Sequence, residues 1–203
     1  MGGCLLTDLM DWGTVFFGNF PRPPDPKVVG DRWREMWHER LENMPLPIET
    51  WLNHQRRDDY WKPGSVCEDY SRIECAVYAC AGWLDGYSNT VARLLANLDS
   101  PRLGLIGPWK HAFPHVGSPG PTFNWLQEAV RWWDHWLKEI DTGIMDLPMY
   151  RVFLQEHVPT KAIFSSVPGR WVSEAAWPSP NIRADKLYLS IGGLTPIQCG
   201  ESN

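Results

Sequence analysis

Residues 73–111 read Ile-Glu-Cys-Ala-Val-Tyr-Ala-Cys-Ala-Gly-Trp-Leu-Asp-Gly-Tyr-Ser-Asn-Thr-Val-Ala-Arg-Leu-Leu-Ala-Asn-Leu-Asp-Ser-Pro-Arg-Leu-Gly-Leu-Ile-Gly-Pro-Trp-Lys-His. The apolar run over 73–82, with charge before it and glycine after it, has the composition of a strand buried on both faces of a parallel sheet. Asn89 can cap a helix over about 89–98, in which Val91, Leu94, Leu95 and Leu98 fall on one face. A second buried strand over 103–106 stops at Gly107-Pro108. A further helix over about 122–140, with an apolar stripe of Trp125, Ala129, Trp133, Trp136, Leu137 and Ile140, completes a β-α-β-α unit. Strands alternating with helices predict an α/β fold around a parallel sheet.

Outward from this unit the pattern changes on both sides. Residues 19–30 carry four prolines, which remove donors and fix φ, so they read as a loop. After Asp31, a good N-cap, Trp33, Trp37, Leu41 and Met44 recur near every fourth position and predict a helix that Pro45 and Pro47 end. Residues 48–70 read as a short polar, aromatic-rich helix or loop. On the far side, polar residues 141–147 with Gly143 mark a linker. From Pro148 onward short strand-like pieces, 150–154 and 186–190, are separated by turn residues such as Pro168-Gly169. The domains expected are therefore 1–147, α/β, and 148–203, all-β and incomplete.

Composition narrows the function classes. With 43% apolar and 21% charged residues the chain is in the globular range. Its net charge of -5 and the lack of any basic run beyond Arg56-Arg57 give no electrostatic footprint for nucleic acid or anionic membrane. No stretch approaches the ~18 consecutive apolar residues of a spanning helix. The five cysteines, Cys4, Cys67, Cys75, Cys80 and Cys199, are odd in number and include no C-x-x-C pair. That argues against a disulfide framework or zinc ribbon and for a reducing compartment, so a cytoplasmic location is expected. The thirteen tryptophans are read as packing surface rather than a cofactor box.

In parallel sheets, functional side chains gather in loops beyond the carboxyl ends of the strands. Two loops qualify, Gly82-Trp83-Leu84-Asp85-Gly86-Tyr87 and Gly107-Pro108-Trp109-Lys110-His111. They make Asp85 and His111 neighbours. An Asp that accepts from one imidazole nitrogen fixes the tautomer and frees the other nitrogen to take a proton from a nucleophile. Acid before base in chain order suits an α/β-hydrolase. Each residue alone also has a plain reading, because Asp-Gly is a common hairpin turn and a histidine after a strand is more often structural. His111 and His115 have the five-residue spacing of a zinc-binding helix, but Ala112 stands where its glutamate belongs and Pro114 breaks the turn, so no metal is expected. No other cofactor is expected. His54, His135 and His157 are read as surface or packing residues.

Together the two blocks resemble the cocaine-esterase and X-Pro dipeptidyl-peptidase hydrolases. The resemblance implies that Asp85 is the triad acid and His111 the base. It places Trp83, Tyr87, Trp109 and His115 at the substrate. It also implies that residues 25–70 form the helical cap preceding the acid-bearing strand. The Trp-rich helix ending in Trp-Leu-Lys-Glu-Ile-Asp-Thr-Gly resembles the one that leads into a jelly-roll domain, whose opening strands would be 148–203. The fold implied is a partial α/β-hydrolase with a cap, followed by the start of an all-β jelly roll.

One element of that pattern is missing. The family's nucleophile is a serine in a Gly-x-Ser-x-Gly elbow ahead of the cap, and this sequence holds none. Val116-Gly117-Ser118-Pro119-Gly120 has valine where the turn needs glycine and follows the base instead of preceding the acid. Residues 8–17 are expected as a strand just after the lost elbow, as in an abbreviated reading frame. The function expected is part of a serine hydrolase that cleaves esters, amides or X-Pro peptides, inactive by itself. Its partners would be a small ester, amide or short peptide, and a second copy or a chain that supplies the serine. The alternatives are a non-catalytic interaction module and one half of a complemented two-chain enzyme.

Overall fold

Strand β1 (Val77–Gly82) lies parallel to β2 (Arg102–Gly107), Val77 opposite Arg102 and Gly82 opposite Gly107, so the two strands end level with each other. In the computed structural model, which describes residues 7–161, 163–190 and 192–196, the chain divides into two units, Met1–Asp69 and Tyr70–Asn203.

The first unit is helical: α1 (Thr7–Asn19), α2 (Pro26–Val29), α3 (Trp33–Glu42) and α4 (Pro47–Asn53). Residues 8–17 are thus helix, not strand. Leu9 is buried, Trp12 meets Phe16, and Phe16 stacks on Phe20 at 5.8 Å, contacts at the four-residue spacing only a helix provides. A methyl group on Gly13 would stand 2.2 Å from Ile48 Cγ1, so α1 and α4 touch where the side chain is absent. The proline-rich stretch is not wholly loop. Asp25 accepts from Lys27 N–H (2.9 Å) and caps α2, while Asp31, expected to cap α3, sits in a 3-10 turn over Gly30–Arg32.

The second unit follows the β-α-β-α order, with α5 (Asn89–Asn97) between β1 and β2 and α6 (Trp125–Lys138) after them. Side chains of β2 alternate between faces, as a strand requires. Ile106 packs with Val91 and Leu95 of α5, and Leu103 packs with Trp132 of α6, giving the sheet a core on each face. Gly104 lies under α5, where an added Cβ would stand 2.5 Å from Leu95 Cδ1. β1 is shorter than the apolar run suggests, because Tyr70–Arg72 is a 3-10 turn and pairing begins only at Val77.

Residues 150–154, expected to open a separate all-β domain, belong instead to this sheet. Strand β3 (Tyr150–Gln155) is parallel to β2, with Gly104 N–H donating to Met149 O (2.8 Å), and β4 (Gly169–Glu174) is antiparallel to β3, giving the order β1-β2-β3-β4. After α6 the chain turns through Gly143, at φ +64°, and a 3-10 turn over Ile144–Asp146 that buries Ile144, and so returns beside β2. Strands β5 (Tyr188–Ser190) and β6 (Gly193–Thr195) pair antiparallel in a sheet of their own. Among the described residues no helix is long and apolar enough to cross a membrane.

Candidate active site

The two loops at the ends of β1 and β2 are held together by backbone. Trp83 N–H donates to Gly107 O (2.8 Å) and Leu84 N–H to Trp109 O (3.0 Å), while within the first loop Asp85 N–H donates to Gly82 O (3.0 Å). This needs a glycine at 82, since a Cβ there would stand 1.9 Å from Trp109 O. Trp109 is fully buried, its indole N–H donating to Pro121 O (2.8 Å), with Gly107 and Gly117 lying flat against its ring. Lys110 N–H donates to Ser118 O (2.9 Å). The next residue, His111, therefore starts from a fixed backbone.

His111 Nδ1 lies 2.8 Å from Asp85 Oδ2, and Tyr87 N–H donates to Asp85 Oδ1 (3.0 Å). A carboxylate only accepts, so the pair sets Nδ1 as the protonated nitrogen and leaves Nε2 with its lone pair. The Asp85 side chain is 10% exposed and that of His111 77%. The Tyr87 ring meets the imidazole at 5.9 Å and 75° between planes. Beside the pair is a cavity of about 280 Å³ walled by Cys80, Asp85, His111, Phe113, Pro114 and Trp125. Burial pushes the Cys80 thiol up to about 12, so this part of the wall carries a protonated thiol at neutral pH.

Beneath the cavity, three elements meet in a polar cluster. The Tyr78 hydroxyl of β1 donates to Glu128 of α6, and Arg151 of β3 donates to both, with its Nη1 3.1 Å from Glu128 Oε2. Trp125, which also walls the cavity, packs edge-on to Tyr78 at 4.9 Å. Burial raises the Tyr78 phenol far above its ordinary value.

The structure thus brings together Asp85, His111 and Tyr87, although Tyr87, expected at the substrate, is not on the cavity wall. The other expected residues stand elsewhere. Trp109, expected at the substrate, is a core residue, because its ring fills the space between three loop segments. Trp83 is half-exposed and donates through its indole to Phe153 O (2.7 Å), outside the cavity wall. His115 lies beside Phe113 at 6.1 Å and is not on the cavity wall. Phe113 and Trp125 were not foreseen as walls; the only signal was that one follows His111 by two positions and the other opens α6. Elsewhere, His54 and Asp58 form a second such pair at 2.6 Å, which holds Asp58 below the usual carboxylate range. There Tyr60 stacks on the imidazole at 4.5 Å. Among those residues no three metal-ligating side chains gather.

A mixed sheet with helices on both faces, and a His–Asp pair where two adjacent parallel strands end, is an α/β arrangement of the kind that α/β-hydrolases use. Known proteins agree. The sequence model of the X-Pro dipeptidyl-peptidase (S15) family matches residues 1–113. A Mycobacterium bovis protein that carries the name serine esterase is 30% identical over 174 residues, 82% of this chain and 25% of that protein. A Bacillus cereus protein that carries the name Xaa-Pro dipeptidyl-peptidase is 27% identical over 154 residues, 72% of this chain and 23% of that one. The crystal structure of a CocE/NonD family hydrolase from Staphylococcus aureus superposes with a TM-score of 0.57 at 20% identity, over 78% of this chain and 27% of that chain. The chain belongs to the X-Pro dipeptidyl-peptidase (S15) family, and it spans about a quarter of the length of the curated relatives it matches.

Proposed function

We infer that this chain supplies the acid and the base of a serine hydrolase acting on esters or X-Pro peptides. The observation that supports it is the 2.8 Å contact of His111 Nδ1 with Asp85 Oδ2 at the ends of adjacent parallel strands, with an exposed imidazole. In this reading His111 Nε2 takes the proton of a serine hydroxyl, the Asp85 carboxylate stabilises the resulting imidazolium, and the proton then passes to the leaving group. The serine and the oxyanion donors come from outside these 203 residues, since the sequence holds no Gly-x-Ser-x-Gly elbow. The β5–β6 pair is read as the first part of a further, jelly-roll domain.

A fluorophosphonate probe tests the assignment. The chain alone should remain unlabelled. Fusion to, or mixing with, the elbow-bearing region of a relative should label that region's serine. His111→Ala should slow that labelling by about 10³-fold or more. Stoichiometric labelling of a serine in the isolated chain, abolished by His111→Ala, would overturn the claim that the nucleophile lies elsewhere.

A further inference from the structure

We propose that Tyr87 is a positioning residue for His111, acting through its aromatic ring; the proposal rests on the reading of Asp85 and His111 as acid and base. Tyr87 touches both members of the pair by different means. Its backbone N–H donates to Asp85 Oδ1 (3.0 Å), which fixes the carboxylate rotamer and aims Oδ2 at the histidine. Its side chain lies edge-to-face against the imidazole at 5.9 Å.

The need for such a contact follows from exposure. The His111 side chain is 77% exposed, so packing supplies little of its orientation. A single hydrogen bond at Nδ1 fixes one atom of the ring and leaves the plane free to swing about it. A second contact on the flank of the imidazole removes that freedom, and with it the alternative in which the ring turns outward and water replaces Asp85. Tyr87 is placed for this by its own short turn. Asp85 N–H donates to Gly82 O, and Ser88 N–H to Asp85 O, before Asn89 opens α5. The acid and the ring that braces the base thus come from one turn, while the base comes from another loop. A wall of a substrate site would instead face the cavity, and Tyr87 is not among the residues that line it.

The test is the imidazole tautomer of His111, read by nitrogen-15 NMR of the purified chain at pH 8, together with the low-field Nδ1 proton. The wild type should show the Nδ1–H tautomer and a protected Nδ1 proton, and Asp85→Asn should lose the protected proton. Tyr87→Leu, which keeps bulk without a ring, should give mixed tautomers and lose the protected proton, while amide signals of β1 and β2 stay in place. Tyr87→Phe should restore the wild-type signature. An unchanged signature in Tyr87→Leu, or its loss in Tyr87→Phe, would overturn the role of the ring. If Tyr87→Leu fails to fold, Tyr87→Phe and Tyr87→His decide between ring and hydroxyl by the same signal. A wild type with no Nδ1–H tautomer, or one indifferent to Asp85→Asn, would remove the acid–base pair itself and not this inference alone.

Discussion

Gly82 has no room for a methyl group, because the carbonyl of Trp109 occupies that space. The obstacle is backbone, so Gly82→Ala must push apart the two loops that carry Asp85 and His111. Overpacking of this kind costs about 1–3 kcal/mol. The expected result is a lower urea midpoint together with loss of the protected Nδ1 proton of His111, and a variant that lost stability but kept that proton would show that the loops are held by other means. At this scale much was legible. That Asp85 and His111 are neighbours could be read because each follows closely on one of two parallel strands, and strand ends converge. The burial of Trp109 could not, since it depends on Gly117 and Pro121, which are distant in sequence and carry no periodic signal. Nor could the contact of Tyr87 with His111, which is set by a turn rather than by a repeat.

Helix α6 shows where hydrophobic periodicity misleads. Its buried side includes Glu128 and Trp132, whereas Trp133 and Leu137 of the expected stripe are exposed. The helix is apolar on two sides, and the side chosen is the one where a carboxylate meets Arg151 and Tyr78. A pattern that scores charge as outward has no way to see a partner on β3. Arg151→Ala should strand Glu128 as an unpaired buried charge and destabilise the fold by about 3–5 kcal/mol, while Arg151→Met with Glu128→Leu should recover most of the loss. Denaturant titration of both variants checks this, and equal losses would mean that the pair contributes no coupling. Helix α1 is the other misreading. A short apolar run of this length fits helix and strand alike until tertiary partners such as Ile48 are known.

For the molecule as a whole, alkaline pH probes how tightly the sheet is closed. Burial raises the Cys80 thiol from 9.0 to about 12 and the Tyr150 phenol from 10.0 to about 12. Both groups bind their protons more firmly folded than unfolded. The corresponding stability is fully present below their ordinary values and is lost as pH rises through about 9 to 12. Thermal midpoints should therefore fall across that window, and Cys80→Ala should flatten the early part of the fall. A flat profile from 9 to 12 would mean that these groups reach solvent in the folded chain. The α/β class, the family and the order β1, α5, β2 were legible from residues 73–111. The membership of β3 and β4 in the same sheet was not, because their alternating pattern is the same in an all-β domain as at the edge of an α/β sheet.

The packing of Trp109 gives the Gly-Pro-Trp-Lys-His segment a double meaning. Its glycine, its tryptophan and its backbone amides are committed to joining the two loops, and only the last side chain faces the cavity. A descendant could exchange His111 for an inert residue and keep every one of those joints. Likeness across this segment is therefore a signature of architecture, and it speaks of the His111–Asp85 pair at one letter only.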